Sequence, residues 1–216
     1  MKETVKNDKM NSFSVALGLF DYINPIFYTV TSMTILKNMK GVMSTPIFIM
    51  FLAGAILSLI FGFTIPTVKF IVGLGKMDFK MPVNLVFYVN TGILISGLAL
   101  FFTVTGISPV VLIVILAAIV AILAAIKLRG GKFNTVAVLA GAAGYLLIYI
   151  SMILWSLSVG STVSVVMYGF AICLFVFLVL VGCKADLMNP KVHWVIEITN
   201  VVCQITVAIA TILAFR

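Results

Sequence analysis

Acidic side chains are scarce in this chain: Glu3, Asp8, Asp21, Asp78, Asp186 and Glu197 are all there are among 216 residues. Charged residues of both signs make up 9% of the sequence and apolar ones 63%. A soluble domain carries roughly 25% charged residues, because its surface needs them. A soluble domain of this size could not bury so much apolar surface, so that class is excluded. Histidine is scarcer still. The single His193 excludes a histidine-rich metal site, bis-histidine haem and a multi-histidine zinc centre. HExxH, GxSxG, Walker and GxGxxG motifs are all missing, so neither an enzyme nor a cofactor is expected. The three cysteines, Cys173, Cys183 and Cys203, form no CxxC pair and fall within or at the cytoplasmic ends of apolar runs. They read as small hydrophobes rather than disulfide or redox partners.

Apolar runs fill the space those absences leave. A bilayer core about 30 Å thick takes roughly 20 residues of helix. Seven stretches qualify, at 13–36, 46–68, 82–104, 108–126, 134–157, 161–182 and 192–215. The expected fold is therefore an all-α polytopic membrane protein. It has a basic tail over residues 1–12 and a single seven-helix transmembrane domain over 13–216. The first stretch is too long and too polar for a cleaved leader.

Net charge is +8, but the lysines and arginines sit in clusters between the spans, which points to a membrane surface rather than nucleic acid. Lys2, Lys6 and Lys9 precede the first span. Lys69, Lys76 and Lys80 follow the second, Lys127, Arg129 and Lys132 the fourth, and Lys184 and Lys191 the sixth. With seven spans these eleven share one face, and only Lys37, Lys40 and Arg216 lie on the other. The positive-inside rule then puts the N-terminus in the cytoplasm and the C-terminus outside, in a multi-pass protein of the cell membrane.

Two acids break the apolar runs. On the seventh span His193, Glu197, Asn200 and Gln204 are spaced i, i+4, i+7 and i+11, which puts all four on one helical face. Such a stripe does not face lipid, and an intramembrane carboxylate marks a functional site by default. On the first span Asp21, Asn24, Tyr28 and Thr31 share a face with Pro25 among them. Proline has no amide hydrogen, so the Asp21 carbonyl loses its helical donor. A kinked or broken helix at Pro25 is expected, of the kind that transporters use at mid-membrane. The same residues spell NPxxY, yet on the first span rather than the seventh, where rhodopsin-like receptors carry that motif, so no receptor reading follows. A third polar face, on the third span, holds Asn84, Tyr88 and Thr91, with Asn90 beside them.

Val110 to Ile126 contains no polar side chain, which suits a linker span exposed to lipid. That suggests a 3+1+3 arrangement, a layout known from sugar (SWEET-type) and vitamin transporters; the comparison is one of architecture. The functional expectation is a small secondary transporter, or a transporter membrane subunit. It would move a small solute or ion coupled to a cation or proton through Asp21 and Glu197. Asn24, Tyr28, Tyr88, Asn90, Thr91, His193, Asn200 and Gln204 would complete the lining. An ion or proton channel, or a non-transporting subunit or sensor, are the alternatives. Expected partners are the lipid bilayer, the small solute or cation, and a second copy of the chain or another membrane subunit.

Overall fold

A computed structural model of the chain describes residues 14–75, 83–108, 110, 111, 114, 133–184 and 190–216. The basic tail and nearly all of the fourth expected span lie outside the described residues. Those that are described form helices joined by short turns, with no strand among them.

The helices are α1 (Val15–Asp21), α2 (Ile23–Met39), α3 (Thr45–Gly73), α4 (Val83–Thr105), α5 (Phe133–Ser158), α6 (Thr162–Lys184) and α7 (Pro190–Ala214). Five of them, α3 to α7, contain stretches long and apolar enough to cross a membrane. The first expected span is instead two helices meeting at Tyr22. The Ser14 hydroxyl caps α1 by accepting the Leu17 amide at 3.1 Å, the usual work of an N-cap serine. Pro25 falls in the first turn of α2, where amides have no intrahelical acceptor in any case. Tyr22 itself keeps right-handed helical angles (φ −64°, ψ −21°), so the break is a kink and not an unwound segment. Gly106 (φ +69°) and Gly160 (φ +74°) terminate α4 and α5, in a backbone region that glycine adopts without strain.

The helices close into a ring in chain order, α2, α3, α4, α5, α6 and α7, with α7 returning against α2. Small residues let the backbones approach. Gly54 and Ser58 of α3 meet Gly92 and Ser96 of α4, and Gly97 of α4 meets Gly144 of α5. A side chain at any of these glycines would strike backbone, the packing that small residues permit between membrane helices. Contacts also fix direction. Asn90 lies against Gly141, and Gly97 against Gly144 and Leu147, so α4 and α5 run parallel. Phe20 stacks near Trp194 and Asn24 bonds Glu197, so the α1–α2 unit and α7 are parallel as well. The other neighbours in the ring for which cross-contacts fix direction run antiparallel, as Phe51 with Ser96 and Ser58 with Val89 illustrate. The buried centre is apolar and aromatic, built on Phe51, Ile93, Leu100, Tyr149, Met152 and Tyr168.

Candidate functional site

Asp21 closes α1, Glu197 lies in the second turn of α7, and between them stands a residue from α3, Lys69. The Lys69 Nζ is 2.7 Å from Asp21 Oδ2 and 2.9 Å from Glu197 Oε1. All three are buried, with exposures of 7%, 5% and 7% for Asp21, Lys69 and Glu197. Asn24 completes the circuit, since its Nδ2 donates to Asp21 Oδ1 at 3.0 Å and to Glu197 Oε2 at 3.3 Å. His193, one turn before Glu197, brings Nε2 to 3.3 Å from Glu197 Oε1. Charges removed from water persist only when paired and hydrogen-bonded. One ammonium here serves two carboxylates from different helices.

Backbone packing sets that geometry. A Cβ on Gly18 would come within 2.7 Å of the Phe70 nitrogen, and one on Gly73 within 2.8 Å of the Val15 nitrogen. The two glycines therefore let α1 press directly onto the end of α3, which delivers Lys69 to Asp21. The Tyr22 hydroxyl bonds Thr67 at 2.6 Å and ties the kink to the same helix.

Lys69 was expected in a cytoplasmic loop, and the structure corrects this. Helix α3 continues through Pro66 and Lys69 to Gly73, so Lys69 leaves the loop count. Ten basic residues then face three in the seven-span reading, and the bias keeps its direction. The apolar run past the lysine, Phe70-Ile71-Val72, was the available signal. Pro66 was the other omission. It is fully buried inside α3, and its missing amide leaves the Gly62 carbonyl without a helical donor.

A cavity of about 150 Å³ opens beside the cluster, with Asp21, Asn24, Tyr28 and Asn200 on its wall. Gly62 and Pro66 line it from α3, opposite Pro25. Asn24 Oδ1 has no hydrogen-bond partner among the described residues, and the Tyr28 hydroxyl sits among those of Ser32, Ser58 and Ser96. Ser58, also on the wall, donates to the Val89 carbonyl at 3.1 Å.

The remaining expected residues are more dispersed. Gln204 is buried beside Tyr145, itself a cavity residue. Asn90 packs on Gly141 at the α4–α5 contact. Thr91 is half-buried, and its hydroxyl has no partner among the described residues. Tyr88 is 40% exposed and stacks on Phe61 with ring centroids 4.7 Å apart. It does not line the cavity. The side chain of Asn84 lies outside the described residues.

Comparison of the chain with protein-family models, curated proteins and solved structures finds no match.

Proposed function

We propose that the chain is a small secondary transporter, or the membrane subunit of one, in which a cation or proton acting at Asp21 and Glu197 drives solute through the adjoining cavity. The single observation that carries this reading is the buried Asp21–Lys69–Glu197 cluster, whose Asp21 lies on a cavity wall. Two carboxylates and one ammonium leave the ionised cluster, with His193 neutral, one surplus negative charge. In a low-dielectric setting that surplus favours uptake of one positive charge. Lys69 then acts as a tethered cation whose hold on the two acids weakens when a mobile cation or proton joins them. A change in the pairing would move α1, α3 and α7 relative to one another, since each supplies one member.

The same proposal takes the chain as a seven-span protein of the cell membrane with a cytoplasmic N-terminus. Parallel packing of α4 and α5 supports the count, because a seven-span order with one span between them requires it. Two parallel three-helix units joined by that linker would place α4 against α5 and α7 against α2, the contacts of the observed ring.

Reconstitution into vesicles tests the proposal. With an imposed proton or sodium gradient, a panel of radiolabelled small amines, amino acids and sugars is offered to the wild type. The expected outcome is saturable accumulation of one class that collapses when the gradient is dissipated. Flux that never saturates would indicate a channel, and no flux of any probe would refute transport by the chain alone.

A further inference from the structure

The two ends of the cavity differ in chemistry, and that difference describes a ligand. At one end stands Asp21, the carboxylate of the cluster on the cavity wall. Its Oδ1 accepts one bond from Asn24 and its Oδ2 one from Lys69. A carboxylate oxygen has room for a second donor, so Asp21 remains an acceptor. The adjacent Asn24 Oδ1 is buried and has no donor among the described residues. Glu197 is bonded to Lys69 and Asn24 and approached by His193, and does not line the cavity. Asp21 is thus the carboxylate that the cluster presents to the cavity.

At the other end is the Tyr28 hydroxyl, 7% exposed as a residue and set among the hydroxyls of Ser32, Ser58 and Ser96. Hydroxyls both donate and accept and can turn toward a ligand, so this end offers a polar but uncharged hydrogen-bonding group. Asp21 and Tyr28 are seven residues apart, roughly 10 Å along a helix. Ile65, Val89 and Ile93 give the lining an apolar part, beside the polar Asn24, Ser58 and Asn200. A bare metal ion would satisfy one end only. An uncharged solute would bring no positive charge to the Asp21 carboxylate.

We propose that the cavity binds a short protonated amine carrying a hydrogen-bonding group at its far end, with the ammonium on Asp21 and Asn24 Oδ1 and the second group on Tyr28. This rests on the transporter reading above and names its solute class. Amino alcohols and similarly sized aliphatic amines with a terminal polar group fit the description. Tyr28 is then the residue that sets specificity, because a site built to bond a hydroxyl rejects an analogue without one.

Three probes that differ only at their ends decide the matter: aminobutanol, pentylamine and pentanol. Each is titrated into the detergent-solubilised full chain, and the thermal midpoint is followed, since a ligand selective for the folded state raises it by mass action. Aminobutanol is expected to raise the midpoint saturably, pentylamine to bind about tenfold more weakly, and pentanol to do nothing. Tyr28→Phe should keep the pentylamine shift, read from its own unliganded midpoint, while losing the preference for aminobutanol. Asp21→Asn should lose both amine responses. The proposal is overturned if pentanol stabilises as well as the amines, if Tyr28→Phe leaves the preference intact, or if no probe shifts the wild type. Binding is read here without any gradient, so the two readings fail separately. Amine binding without accumulation in vesicles would refute transport alone. Gradient-driven accumulation of another class with no amine binding would refute the amine alone.

Discussion

At the scale of single residues, Lys69 was the hardest to place from sequence, and the reason is physical. A lysine at the end of an apolar run ordinarily snorkels to the headgroups, so its position alone does not distinguish a surface cation from a buried one. Asp21 and Glu197 were legible because carboxylates with apolar neighbours on both sides have no such exit. Asn24 and Asn200 followed from helical spacing. That Asp21 and Glu197 share one partner was not legible, since it depends on α1, α3 and α7 meeting in space. The shared partner has a measurable consequence. Lys69→Met should lower thermal stability by about 3 kcal/mol, the cost of stranding a buried charge. Adding Glu197→Gln to that variant should recover part of the loss, because it removes one of the carboxylates the lysine had answered. A double-mutant cycle on unfolding midpoints reads the coupling, and strict additivity would mean that the two side chains do not interact.

Among the elements, the break in the first span could be read from Pro25, whereas the true extent of α3 could not. Pro66 and Lys69 both resemble terminators, a proline and a charge, yet the helix carries them as interior residues. The pairing of Lys69 with Asp21 of α1 compensates for the charge, and the signal for that is faint: glycines at Gly18 and Gly73, unremarkable in sequence, become necessary only once two backbones touch. Gly18→Ala should therefore overpack the α1–α3 contact and cost about 1–3 kcal/mol. Gly169→Ala in α6, where a Cβ meets nothing within 4 Å, should be close to neutral. Thermal unfolding of the two variants side by side checks this, and equal midpoints would contradict the close approach of α1 to α3.

For the whole molecule, composition and apolar run length sufficed to give a helical protein with long apolar helices, because membrane solvation leaves few other ways to satisfy the backbone. Ring order and helix direction were not legible, since they depend on contacts such as Gly97 with Gly144 that no local pattern encodes. Seven spans with a cytoplasmic N-terminus place the turns at Ile107 and Val159 on the same outer side. After replacement of Cys173, Cys183 and Cys203, single cysteines at these two positions should both react with an impermeant thiol reagent added outside intact cells. Reaction at only one of them would remove the fourth span. The central claim is that the Asp21–Lys69–Glu197 cluster couples solute movement to a cation or proton. Its most direct test compares exchange with accumulation in vesicles containing wild-type protein or Glu197→Gln. Glu197 lies off the cavity wall, so the account predicts that the variant still exchanges solute across the membrane but no longer concentrates it against a gradient. Undiminished accumulation by Glu197→Gln would contradict that claim.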